Sequence, residues 1–328
     1  MKKHKHIKDA VFFAVILILV LVMLYSGLQI LESTVLFQGN DSDATIASKT
    51  ILVDGVPYFP RQDITVVLVM GIDRNGPVES SGFYTNTGAA DVDMLVVFDQ
   101  TNQVVDMLYL NRDTMLTMPV LGVGGKEAGA YYGQLALAHT FGSGLEDSCE
   151  NTRKAISNFL GGIQIDYYVS MNMDAIAILN DAVGGVTVQV TDDFSKVDPT
   201  IGLGQVTLMG QQAINFVRTR KDVGDQLNLT RIERQKEYIR GFADALREQQ
   251  ENNVSFLLSV HEQVSPYIVT DCSVKVLNSL LEQYTHYQTG RILSPAGENV
   301  MGEQYFEFHV DLEDLDRIVL ELFYAPKK

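Results

Sequence analysis

Apolar positions along this chain recur with two different periods, and the switches between them mark out its elements. Ile64–Ile72 (ITVVLVMGI) is an unbroken apolar run rich in β-branched residues, which predicts a strand buried on both faces. Met94–Asp99 and Val104–Leu110 flank a TNQ turn and predict a hairpin. The stretch RNGPVESSGFYTNTGAAD between the first strand and the hairpin is rich in Gly, Ser, Asn and Thr, the composition of a surface loop. Helical spacing predicts helices over about Ser148–Leu160, Met173–Ala182, Gly210–Phe216 and Leu229–Gln250, with others at Ser255–Val264, Val274–Tyr287 and Leu312–Tyr324. Further strands are expected at Ile165–Ser170 and at Val186–Val190, the latter after a Gly184-Gly185 break. Strands alternating with helices imply an α/β fold with the sheet covered on both faces. The hairpin makes that sheet mixed. No internal repeat is visible.

The N-terminus follows another pattern. Lys2, Lys3, Lys5 and Lys8 precede 22 residues, Ala10–Leu31, without a charge. A helix of about 20 apolar residues crosses a bilayer, so this run is long enough. It ends MLYSGLQILEST without the small-residue site of a cleaved signal peptide, and the lysines place the N-terminus in the cytoplasm. The expected organisation is a cytoplasmic tail (1–9), a transmembrane anchor (10–31) and an extracellular stalk (32–60). A main domain (61–250) follows, with a helical and strand C-terminal extension (251–328) packed on the same body, which completes the sheet or selects substrate. The formal net charge is -16, and the lysine-rich tail makes the remainder more acidic still. Such a body is a poor nucleic-acid binder, because duplex binding relies on a basic surface that releases counterions. The two cysteines, Cys149 and Cys272, could form one exported disulfide or stay reduced, and six scattered histidines give no support to a zinc site.

Against that acidity, VRTRKDVGDQLNLTRIERQ gathers four arginines. Arg218 and Arg220 alternate, which in an extended segment puts both on one side, while Arg231, Arg234 and Gln235 share a helix face. Forked, permanently charged guanidinia suit a phosphate or pyrophosphate. The same pattern also fits a solvated helix whose arginines pair with Glu233 and Glu237. Asp73 ends the first strand and Asp91, with Asp93 nearby, precedes the second, so both carboxylates could meet at one sheet edge and suit Mg²⁺. Aspartates equally cap turns. LNRDT (Leu110–Thr114) places Arg112 and Asp113 beside the same edge, as a phosphate contact or a surface ion pair. QLALAHTFGSG and GGIQIDYYVSMNMDAIAILNDAVGGVTV are unusually apolar, as core segments or as the lining of a greasy slot.

In this order the pieces resemble the LytR-CpsA-Psr proteins of bacterial envelopes. The resemblance rests on the basic tail and anchor, VVLVMGIDRN, AADVDMLVVFD, LNRDT, QLALAHTFGSG, IQIDYYVSMNMDAIAILNDAVGGVTV, and LMGQQAINFVRTRKDVGD followed by RIERQ, and covers residues 64 to about 250. It implies a mixed central sheet sandwiched by helices around a hydrophobic tunnel for a polyprenyl chain. It implies an enzyme that moves a glycopolymer, such as wall teichoic acid or capsule, from a polyprenyl-pyrophosphate carrier to muramic acid of peptidoglycan. By the same resemblance Asp73 and Asp91 match metal-binding aspartates, and Arg112, Arg218, Arg220 and Arg231 match catalytic arginines. Gln235 matches a lesser substrate contact. Asp222 and Asp113 are candidates for orienting arginines or for the unassigned general base. The family's usual arginine two residues before the second metal aspartate is Ala89 here, with Arg74 as a conceivable substitute, and QLNLT lengthens the segment before Arg231. The Ala89 departure keeps open a second reading, a non-catalytic, membrane-tethered binder of polyprenyl phosphates or wall polymer.

Overall fold

The computed structural model describes residues 50–326 apart from 220, 225–227, 253–259, 261–262, 274–275, 277–286 and 304. The expected tail, anchor and most of the stalk lie outside the described residues. Among the described residues no helix is long and apolar enough to cross a membrane. The expected helices Ser255–Val264 and Val274–Tyr287 also fall largely outside them.

The predicted apolar strand is β3 (Ile64–Ile72), and it lies in the middle of the sheet. Its alternate residues Val67 and Val69 face one core, while Val66, Leu68 and Met70 face the other. This two-sided burial explains why the run has no polar break. β4 (Ala90–Asp99) and β5 (Val104–Leu110) form the expected hairpin beside it. β8 (Tyr167–Asn172) runs parallel to β3 and is edged by the antiparallel β11 (Ile268–Thr270). β12 (Gln288–Leu293) lies parallel to β5, completing the order β11-β8-β3-β4-β5-β12. The central sheet is mixed, and two of its six strands come from beyond residue 250.

Helices cover both faces. α1 (Glu146–Phe159) and α5 (Leu312–Phe323) pack on the face carrying Leu68 and Leu108. α2 (Met173–Ala182), α3 (Gln211–Arg218) and α4 (Asn228–Asn252), with the hairpin of β9 (Val186–Val190) and β10 (Gly204–Leu208), cover the other face. Residues 51–60, taken from sequence as the end of a polar stalk, instead form β1 (Ile51–Val53) and β2 (Val56–Pro60). β2 also pairs with β15 (Tyr324–Pro326) at the opposite end of the chain. Two further hairpins, β6 (Met115–Leu121) with β7 (Glu127–Gln134) and β13 (Gly297–Met301) with β14 (Phe306–Val310), flank the body. Neither was visible in the apolar pattern, because β7 and β13 are largely exposed and carry no alternation. Cys149 and Cys272 are both buried and free, and burial raises both thiols, Cys149 to about 12. No disulfide links them.

Candidate functional site

β4 begins four residues earlier than the hydrophobic pattern suggested, so Asp91 lies inside the ladder. Gly71 pairs with Val92 but Ile72 pairs with Ala90, leaving Asp91 as an extra residue in a β-bulge. The bulge turns Asp91 toward the same cavity that Val92 and Met94 line. Two guanidinia meet it there. Arg112 Nη1 bonds Asp91 Oδ1, and Arg231 Nη1 bonds Asp91 Oδ2 at 2.9 Å. Arg112 comes from the loop after β5 and Arg231 from the first turns of α4, so three distant segments converge on one buried carboxylate.

The other predicted residues distribute unevenly around this centre. Arg218 is the last residue of α3, not part of an extended segment, and its Nη2 reaches Asp73 Oδ1 at 2.8 Å. The Asp73 amide donates to Ala89 O at 2.9 Å, so Asp73 stands at the same end of the β3–β4 ladder as Asp91. Gln235, one turn beyond Arg231, accepts from the Tyr109 hydroxyl and donates to Val217 O at 2.9 Å. Arg220 lies outside the described residues. Asp222 is exposed with a left-handed φ of 63°, and makes no hydrogen bond or ion pair with Asp91, Arg112 or Arg231. Arg234 is not at the centre. It pairs with Asp192 at 2.7 Å and donates to the carbonyls of Phe216 and Thr219, securing the C-terminal end of α3 that carries Arg218. Arg74 runs beside Gly88 toward Gly144.

Several polar groups here are buried. Asp93 is fully buried with no hydrogen-bond partner on either oxygen, and burial pushes its carboxyl well above the usual carboxylate range while Arg112 pulls it down. His139 sits under the loop before β4, its Nδ1 2.7 Å from Gly88 O, and burial lowers it to about 4, so the ring is neutral. Asp113 accepts from Gln134 Nε2 at 2.9 Å and lies 3.5 Å from Arg112 Nε. Sequence reasoning missed Tyr109 and Gln134. Tyr109 reads as one more apolar strand residue, and Gln134 ends a strand without a pattern.

Behind the cluster, between the sheet and α2, α3 and α4, lies an apolar cavity of about 120 Å³. Val69, Met94, Met171, Leu179 and Phe242 line its depth, and Asp91, Arg218 and Gln235 also border it. A charged rim over an apolar interior is the form of a site for an amphiphile with an anionic head. Among the described residues no three or more His, Cys, Asp and Glu side chains gather as a metal-binding group.

The LytR_cpsA_psr family model matches residues 34–320. The polyisoprenyl-teichoic acid–peptidoglycan teichoic acid transferase TagU of Bacillus subtilis (strain 168) is 28% identical over 182 residues, 55% of this chain and 52% of that protein. The match thus spans about half of that relative's length. The protein of the same name from Oceanobacillus iheyensis is 24% identical over 80% of this chain and 77% of its own. A solved structure of TagT bound to LI-WTA shares the fold with a TM-score of 0.59 at 23% identity, over 80% of this chain and 90% of that one. A family match across most of the residues, on a mixed sheet sandwiched by helices, makes this chain a member of the LytR-CpsA-Psr family.

Proposed function

We propose that this chain transfers a phosphate-linked glycopolymer from a polyprenyl-pyrophosphate carrier to peptidoglycan. The observation that supports this best is the apolar cavity bordered by Asp91, Arg218 and Gln235, with Arg112 and Arg231 fastened to Asp91. The relatives named as teichoic acid transferases point the same way. The cavity takes the proximal part of a lipid tail. The arginines meet the pyrophosphate and neutralise charge that would repel an incoming hydroxyl. In the transfer the acceptor hydroxyl gives up its proton to solvent as its oxygen forms a new bond to phosphorus, the bridging P–O bond breaks, and polyprenyl phosphate leaves. Phosphoryl transfer depends chiefly on positioning and charge stabilisation, which fixed guanidinia provide.

Magnesium fits the donor set: Asp73 and Asp91 offer hard oxygens at one end of a ladder, with no histidine or cysteine grouped with them among the described residues. When bound there, the ion would neutralise phosphate charge. Arg218 and Arg112 would then exchange a carboxylate for a phosphate oxygen. The run Ala10–Leu31 would hold the body at the outer membrane face, where a lipid-linked donor resides.

Ala89 favours a second reading. It removes a cation from the rim, which suits a tethered binder of polyprenyl phosphate or wall polymer that performs no transfer. The test is a purified full chain with a polyprenyl-pyrophosphate disaccharide, peptidoglycan fragments and Mg²⁺. The expected result is a phosphodiester product, with the rate falling roughly 10²–10³-fold in Arg218→Ala and turnover stopping on chelation. Stoichiometric donor binding without product would establish the binder instead.

A further inference from the structure

The loop that carries Arg112 is also the root of the two outer hairpins. β6 begins directly after Thr114. At the far end of β7, Gln134 Nε2 donates to Asp113 Oδ1 at 2.9 Å and to Phe306 O at 2.8 Å. On the other side the Phe308 amide donates to Asp113 O at 2.8 Å, and Thr114 forms a bridge with Phe308. Asp113 stands beside Arg112, so β7, β14 and that guanidinium share one support.

The hairpins present aromatic rings to solvent. Tyr132 is 60% exposed, Tyr131 and Tyr305 40% each, and Phe306 39%. The Tyr131 ring is held in place. Tyr131 packs edge-on against Phe141 with centroids 5.5 Å apart, and its hydroxyl bonds Tyr305. Its ring also covers Gly133, where any side chain would collide with it. From Ala128 to Gln134 there is no charged residue, in a chain of net charge -16. Tyr131 and Tyr132 project from opposite faces of β7, Tyr132 on the face of Gln134, whose amide reaches Phe306 O, and exposed aromatic surface there marks a binding site. Rings with an apolar face and a hydroxyl tip match a ligand with apolar faces and hydroxyl edges, which is the surface of a pyranose. At about 3.3 Å per residue, Tyr132 lies roughly 7 Å along the strand from Gln134.

The geometry points to this surface as the acceptor subsite: the exposed aromatics of the β6–β7 and β13–β14 hairpins take the sugar faces of an uncharged glycan strand and lay it beside Arg112. This rests on the transferase reading above and adds where the second substrate binds. A membrane interface also attracts aromatic side chains. The flanking charges here are Lys126, Glu127 paired with Lys154, Glu303 and Glu307, not the cluster of lysines and arginines that an anionic leaflet binds.

The experiment is calorimetric titration of the full chain in detergent micelles with chitotetraose, an uncharged N-acetylglucosamine tetramer. Wild type is expected to bind. Tyr132→Ala/Tyr305→Ala should bind about tenfold more weakly, and Tyr132→Phe/Tyr305→Phe nearly as wild type, because the ring faces remain. Thermal melts check that all three fold alike, and binding of polyprenyl phosphate should not change. No saccharide binding by wild type, or unchanged binding by the alanine variant, overturns the proposal. So does a loss confined to binding of phosphatidylglycerol vesicles, which would make the surface a membrane contact. Saccharide binding in the expected pattern without any transfer would sink the transferase reading and leave the subsite standing. Transfer with an unchanged acceptor KM in the alanine variant would do the reverse.

Discussion

Asp91 shows how one residue can hold a site together and also limit how it is tested. Its two oxygens are divided between Arg112 and Arg231, and the Arg231 side chain is only 4% exposed. Arg231→Ala removes a charged hydrogen bond from a buried carboxylate that keeps Arg112, so it should cost about 1.5–3 kcal/mol of stability. The Arg218–Asp73 pair is 45% and 35% exposed, and exposed pairs contribute at most about 1 kcal/mol. Chemical denaturation of the two variants should separate them clearly. Equal losses would mean that Asp91 is not the keystone of the cluster. The residue types were legible in the sequence, because guanidinia and carboxylates in an RTR…RIERQ context suit a phosphate, although the same letters fit a solvated helix. Their pairing was not legible. Nothing in the order of letters says that Asp91 faces the cavity, since that depends on a bulge formed with a neighbouring strand. Nor could spacing separate Arg231 from Arg234, three residues apart on one helix, of which one grips Asp91 and the other staples α3.

Among the elements, α4 positions the most chemistry. It supplies Arg231 and Gln235 to the rim and Phe242 to the cavity wall, at four- and seven-residue steps that keep them on one side. Gly241 lets it do so. A β-carbon there would press on the carbonyl of Thr187 in β9, so only glycine allows the helix to approach this closely. Gly241→Ala would gain helix propensity in isolation, yet overpacking typically costs about 1–3 kcal/mol. A lower Tm together with weaker binding of polyprenyl phosphate is expected. An unchanged or raised Tm would show that the helix is free to shift. The strands of the central hairpin and the main helices were readable to within a few residues, because burial on two faces or one writes a clear period. β8 was expected two residues too early, since Ile165 is apolar and buried without belonging to the ladder. The β6–β7 and β13–β14 hairpins left little trace, as strands held by a loop and open to solvent need no hydrophobic alternation.

At the scale of the molecule, the sheet cannot be closed by the central residues alone. β12 completes one edge, β11 the other, and α5 seals the face carrying Leu68 with Leu315, Ile318 and Leu322. A chain ending at Asn252 should therefore fail to fold. It should be rapidly proteolysed and lack a cooperative melt, whereas a stable, cooperative product would show the C-terminal part to be an accessory. The sequence motifs ended near residue 250, whereas the later described residues supply edge strands and packing to the sheet. β15 adds one further consequence. The last described strand pairs with β2, near the first described residues, so the two extremities of the body are stitched side by side. Contacts spanning such long sequence separations close slowly, since the loop entropy is lost before the pairing is gained. Maturation must therefore wait for β15 to be made, and until then the nascent polypeptide offers unpaired strand edges that a chaperone would have to shield.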